Sequence, residues 1–170
     1  MELGGRMASG GLVHVAGRHA GGWRVIDVWQ DASSFERFRD KQIMPHAQAA
    51  GLAAPSVRSV EVDELMRGGG EQAGLAQCVF LAGMDAEAFA AMEGHILPDG
   101  KRPEEVVWHV HGPVEGGWLV VDTWTSREAR DRFIQERVMP AMQAAGAAGP
   151  PAIEDMSVEA AMNEAAPAVG

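Results

Sequence analysis

Apolar and polar residues alternate with the two-residue period of a half-buried strand in several short runs. LVHVA (12–16) and WRVIDVW (23–29) form one pair around the turn-type cluster GRHAGG, and VVWHVHG (106–112) and WLVVDTW (118–124) form another around PVEGG. Ala20-Gly21 and Glu115-Gly116 supply two-residue turns, where glycine tolerates positive φ. A helix is expected after each hairpin, with Asp31 and Ser126 as N-caps. Phe35, Phe38 and Ala47 give the first helix its apolar face, and Ala129, Phe133 and Val138 the second. Met44-Pro45 and Met139-Pro140 predict a kink or restart, because proline lacks the backbone donor that an unbroken helix needs. Gly51 and Gly146 are expected to end the helices. SVRSVEV (56–62) alternates as a strand, and IEDMSV (153–158) is its later counterpart. Between them lie a glycine-rich linker, a strand at 76–83, a helix at 85–96 and a loop at 97–105.

These elements recur because the chain writes one stretch twice. GGWRVIDVWQDASSFERFRDKQIMPHAQAAG (21–51) aligns without a gap to GGWLVVDTWTSREARDRFIQERVMPAMQAAG (116–146), and His14-Val15-x-Gly17 extends the match to His109-Val110-x-Gly112. The second copy reads β-α-β-β-α-β, the ferredoxin-like order. The first has only the last four elements, which leaves an open position in its sheet. The expected class is α+β: tandem ferredoxin-like units forming a dimeric α/β-barrel arrangement, the first unit lacking its opening strand and helix. The expected division is a flexible N-terminus (1–10), a truncated ββαβ repeat (11–65), a linker (66–75), a complete repeat (76–158) and a C-terminal tail (159–170). One unit alone exposes an apolar sheet face, and a second copy on the same chain supplies a cover.

The formal net charge of −10 disfavours phosphate backbones and anionic membranes, so neither nucleic acid nor membrane is an expected partner. The single cysteine, Cys78, cannot form an intrachain disulfide. The first residues carry no secretory signal pattern, and no apolar run approaches the ~20 residues of a membrane span, so a cytoplasmic location is expected.

The pattern HVxGxxxGGWxVxDxW, followed by a helix carrying Phe38 or Phe133 and then MPxxQAAG, resembles small dimeric α/β-barrel proteins of the antibiotic-biosynthesis-monooxygenase type. It is similar to a small actinobacterial-type group carrying HVAGPxEGGWRVVDVWESREAFDRF. The resemblance covers residues 12–62 and 78–158. It implies a barrel of two units packed sheet against sheet. The activities it brings with it are cofactor-independent oxygenation to quinones, heme degradation, polyketide cyclisation and muconolactone-type isomerisation. Fold alone does not choose among them.

The turn register pairs His14 with Asp27 and His109 with Asp122 across their hairpins. A carboxylate fixes the tautomer of its histidine and raises its basicity, which prepares a general base or acid. The same contact also serves as plain architecture, since a buried carboxylate needs a donor. Trp29 and Trp124 flank the two pairs and suit a flat substrate. Trp23, Trp118, His111 and Phe133 complete the expected substrate-binding set. His109, His111 and Asp122 have the composition of a metal site, but an HxH without a third fixed ligand is a weak signal, so no metal and no cofactor is expected. His46 and Trp29 correspond loosely to the heme-degrading pattern, and a solvent-facing helix histidine is the simpler reading.

The leading expectation is a tailoring enzyme of aromatic or polyketide-type metabolism, performing acid–base cyclisation or isomerisation on a hydrophobic or aromatic small molecule. A cofactor-independent monooxygenase and a non-catalytic binding protein are the alternatives. A homodimer is expected through residues 12–29 and 56–62, to complete the truncated copy.

Overall fold

The computed structural model describes residues 7–144 and 151–163. Gly146, expected to end a helix, lies outside them, as do the ends of the expected N-terminal and C-terminal segments. The chain divides into two units, residues 7–59 with 159–163, and Val60–Val158.

In the first unit, β1 (Gly11–His19) and β2 (Gly22–Trp29) form an antiparallel hairpin in which Arg18 faces Trp23 and His14 faces Asp27. Ala20 and Gly21 both take positive φ, 45° and 78°, as a primed hairpin turn requires. Asp31 then caps α1 (Ala32–Phe38) by accepting the Ser34 amide at 2.8 Å. At Met44-Pro45 the α-helix restarts as expected: a π-helical stretch, Arg39–Ile43, leads into α2 (Met44–Ala49), with Pro45 in its first turn. The wider turn accommodates the missing N–H of Pro45.

The second unit opens with β3 (Glu64–Arg67), then β4 (Leu75–Ala82), α3 (Ala86–Ile96), β5 (Val106–Val114), β6 (Gly117–Trp124), α4 (Arg127–Phe133), α5 (Met139–Ala144) and β7 (Ala152–Asn163). Its antiparallel strand order, β7-β4-β6-β5, is that of a ferredoxin-like fold, with β3 added beside β5. Asp85 and Ser126 cap α3 and α4. The repeated sequence carries its details with it. A strand irregularity at Gly11/Val13 recurs at Val106/Trp108, and a second π-helical stretch, Ile134–Val138, recurs before Met139-Pro140.

Three expectations are corrected. Residues 56–62 form no strand. Val57, Val60 and Val62 stay exposed there, so alternation has no face to bury, and the strand falls instead at Glu64–Arg67, opposite Trp108 to His111. The expected linker is not a loose tether. Its first residues belong to β3, and the amides of Gly68, Gly70 and Gly74 donate to the carbonyls of Val107, Val106 and Trp124. A Cβ at Gly68 would meet the Val106 carbonyl at 2.0 Å, so only glycine lets the backbones approach this closely. Finally, β7 runs to Asn163, into the expected tail. Its last residues belong to the first unit, where Glu159 accepts a 2.7 Å bond from Arg18. In strand order β1 lies between β2 and β7, and the part of β7 within the first unit, residues 159–163, comes from the expected tail.

Candidate active site

The site is built on one face of the second unit's sheet. Alternation along β5 and β6 puts His109, His111, Trp118, Asp122 and Trp124 on the side where α3 and α4 pack. His109 is 3% exposed, and its Nδ1 lies 2.6 Å from Asp122 Oδ1. An ionised carboxylate only accepts, so Nδ1 carries the proton and donates it. In the neutral imidazole Nε2 is then the lone-pair nitrogen, and it is buried with no hydrogen-bond partner.

A buried chain of polar groups stands behind Asp122. Gln77 Nε2 on β4 donates to Asp122 Oδ2 at 3.1 Å, and Arg130 on α4 donates to Gln77 Oε1 at 3.1 Å. The arginine fixes which end of the amide faces Asp122. Arg130 is itself gripped by both oxygens of Asp155 on β7, at 3.0 and 2.8 Å. Burial alone would raise the Asp122 carboxyl. The His109 hydrogen bond and charge, the Gln77 amide and the charge of Arg102 outweigh it and hold the group below its ordinary value.

His111 faces the same way. Its Nδ1 accepts from the Trp118 indole at 3.2 Å, and Nε2 lies 3.3 Å from Glu64 on β3. Burial, then the charge of His109, push its pKa below the ordinary value against the pull of Glu64 and Glu93. Phe89 of α3 covers it, with ring centroids 4.5 Å apart, and stacks on Trp118 at 5.5 Å. Glu93 on α3 approaches His109 Nε2 at 3.7 Å and pairs with Arg102 from the loop after α3.

Trp124, expected to stack on a substrate, is 1% exposed and packs on Phe133 within a cluster of Leu75, Val106 and Ala129. Stacking would require that cluster to open. Trp118 is likewise enclosed.

In the first unit, His14 Nδ1 and Asp27 Oδ1 meet at 2.7 Å with both side chains partly exposed. Trp29 packs on Phe35 and Phe38, whereas Trp23 and Val25, at the positions of Trp118 and Val120, are 57% and 47% exposed. Among the described residues, no strand or helix of this copy matches β4 and α3, and Phe35 stands where Arg130 stands in the other copy. Among the described residues, the His14–Asp27 pair therefore has no counterpart of Gln77, Arg130 or Glu93. His46 is exposed, with Nδ1 2.7 Å from the Gln42 carbonyl one turn back.

Sequence reasoning missed Gln77, Glu93, Arg102, Arg130 and Asp155. Two of them were signalled. Gln77 is the one strongly polar residue in the apolar strand LAQCVFLA, and Arg130 breaks the apolar match to Phe35.

No family model matches the chain, and no curated protein does. The fold does match solved structures. One is titled "putative monooxygenase", from Fusobacterium nucleatum subsp. nucleatum, with a TM-score of 0.68 at 12% identity, covering 93% of this chain and 80% of that one. Another of the same title, from Lactobacillus acidophilus, has a TM-score of 0.65 at 9% identity, covering 92% and 80%. A third, an "anthrone oxidase-like protein", gives 0.51 at 14% identity, covering 95% and 82%. At these identities the likeness establishes the fold. Among the described residues, no helix is long and apolar enough to cross a membrane.

Proposed function

We propose that the chain is a small-molecule tailoring enzyme in which His109 acts as a general base through Nε2. The observation that carries this reading is the buried imidazole with Nδ1 held by Asp122 and Nε2 unpartnered. A buried lone pair without a donor costs free energy unless something arrives to use it. The substrate is a hydrophobic or aromatic molecule bearing an acidic C–H or O–H, received beside Trp118, Phe89 and His111. Asp122 stabilises the imidazolium that forms when the proton is taken.

Two outcomes share this step. In a cyclisation or isomerisation the carbanion attacks or is reprotonated within the substrate. In an oxygenation it reduces dioxygen, one oxygen atom ending in a new carbonyl and the other in water. The names carried by the structural neighbours favour oxygenation.

The test uses anthrone as probe. Without oxygen, the wild-type chain exchanges its methylene protons for solvent deuterium, and His109→Ala does not. Oxygen uptake in air then selects oxygenation. Tight binding with neither exchange nor uptake defeats the enzyme reading in favour of a binding protein.

The chain also self-associates, in this proposal, through the face carrying Trp23 and Val25. The same positions in the second copy, Trp118 and Val120, are covered by Phe89. A two-fold pairing covers both chains with one patch.

A further inference from the structure

We propose that Glu93, His109 and His111 form a binding site for a borderline divalent metal ion of the zinc or ferrous type. One donor atom from each lies within 4.8 Å of the others. His109 Nε2 and Glu93 Oε1 are 3.7 Å apart, and the two imidazole rings are 5.2 Å apart between centroids. Metal–donor bonds of about 2.0–2.2 Å place tetrahedral donors roughly 3.3–3.5 Å from one another, so the cluster closes with small side-chain movements. Two imidazoles and one carboxylate suit this class of ion, and three protein donors leave a position for water or a substrate oxygen.

The cluster is more than a chance grouping because its central donor is prepared. His109 is 3% exposed, and its Nε2, 3.7 Å from Glu93 Oε1, makes no hydrogen bond. Its Nδ1–H is held by Asp122, Asp122 by Gln77, and Gln77 by Arg130, the outer arrangement that orients metal-binding histidines. Opposing contacts exist. Arg102 pairs with Glu93, and His111 must release either the Trp118 indole or Glu64. Both His111 contacts are at the long end of the hydrogen-bond range. The repeat supplies an internal control. The first copy has Ala16 where His111 stands, so it lacks one of the three donors and the site belongs to the second copy.

The inference goes beyond the proton-transfer reading, since ion and proton compete for the same nitrogen. The experiment titrates Co²⁺ into the chelator-stripped full chain, followed by visible absorption and calorimetry, with Zn²⁺ as competitor. One ion per chain is expected, at low-micromolar affinity or better, displaced by Zn²⁺. Glu93→Gln and His111→Gln each weaken it by about 10-fold or more. His46→Ala and His95→Ala, at exposed helix positions, leave it unchanged. Circular dichroism shows that each variant is folded, and if His111→Gln is not, Glu93→Gln carries the test. Failure to bind in the millimolar range, or binding that survives the site variants, overturns the proposal. Deuterium exchange in the presence of chelator is a separate readout: its absence defeats the base and leaves the metal site standing.

Discussion

His109 donates from Nδ1 to Asp122 at 2.6 Å, and Gln77, itself held by Arg130, braces the carboxylate from behind. His14 and Asp27 make the same contact at 2.7 Å, with no such bracing among the described residues. The two pairs look alike in sequence and differ in what surrounds them. Asp122→Asn removes the charge that stabilises the imidazolium and permits the wrong tautomer, so deuterium exchange into anthrone falls by about 10²-fold or more. Asp27→Asn leaves it within about 3-fold of wild type. Nitrogen-15 NMR of the imidazoles gives a check without substrate: the His109 tautomer changes in Asp122→Asn. Equal loss in both variants would make the copies equivalent sites and end the assignment to the second.

The hairpins, their register and both helix caps were legible because they are local. A two-residue turn fixes which residues face each other, and the Asp31 and Ser126 caps act within three positions. The strand at 64–67 was not legible. Residues 56–62 alternate better, but only Glu64–Arg67 lies opposite β5, and pairing partner is a non-local property. The His–Asp contacts followed from register. Gln77, Arg130 and Glu93 did not, since they come to the site from β4, α4 and α3 by tertiary packing.

The Asp155 clasp predicts an acid-sensitive element of stability. Burial raises its carboxyl, but hydrogen bonds and charge from Arg130 and Arg127 outweigh this and leave it below the ordinary value of 3.8. A depressed folded pKa contributes stability above the unfolded value, about 3.9, that is lost as pH falls through the folded one. Asp155→Asn is therefore expected to flatten the acid limb of stability below about pH 4 and to cost about 1–3 kcal/mol near neutrality. Urea midpoints measured across that range check it. An unchanged acid limb would mean that other carboxylates control acid unfolding.

Gly117 and Gly22 occupy the same place in the repeat and face different surroundings. A Cβ on Gly117 would lie 2.2 Å from the Leu81 carbonyl of β4, whereas on Gly22 the nearest atom, the His19 carbonyl, is 3.8 Å away. Gly117→Ala forces two paired strands apart and is expected to destabilise by about 1–3 kcal/mol. Gly22→Ala is expected to be neutral or to stabilise by about 0.5 kcal/mol, since alanine loses less backbone freedom on folding. Thermal or urea unfolding of the two single variants decides this, and a similar cost at both positions would contradict the asymmetry of the copies.

The exposed face of the first copy carries the last prediction. Trp23 and Val25 have the strand positions of Trp118 and Val120, which Phe89 covers, and no described element of the first copy supplies a matching phenylalanine. Apolar area left in water costs about 25 cal/mol per Å², and a large indole contributes much of it. Association of two chains through this face removes the cost for both at once. Light scattering at low micromolar concentration is expected to give a dimer, with a buried interface above roughly 1,000 Å². Trp23→Glu with Val25→Lys is expected to give a monomer that keeps the far-UV circular dichroism of the wild type, because neither side chain belongs to the core. The exchange reaction at His109 is expected to persist in that monomer, since every group identified around it lies in the second unit. A wild-type chain that is monomeric at all accessible concentrations would show that this face tolerates water, and a dimer unaffected by the double substitution would place the interface elsewhere.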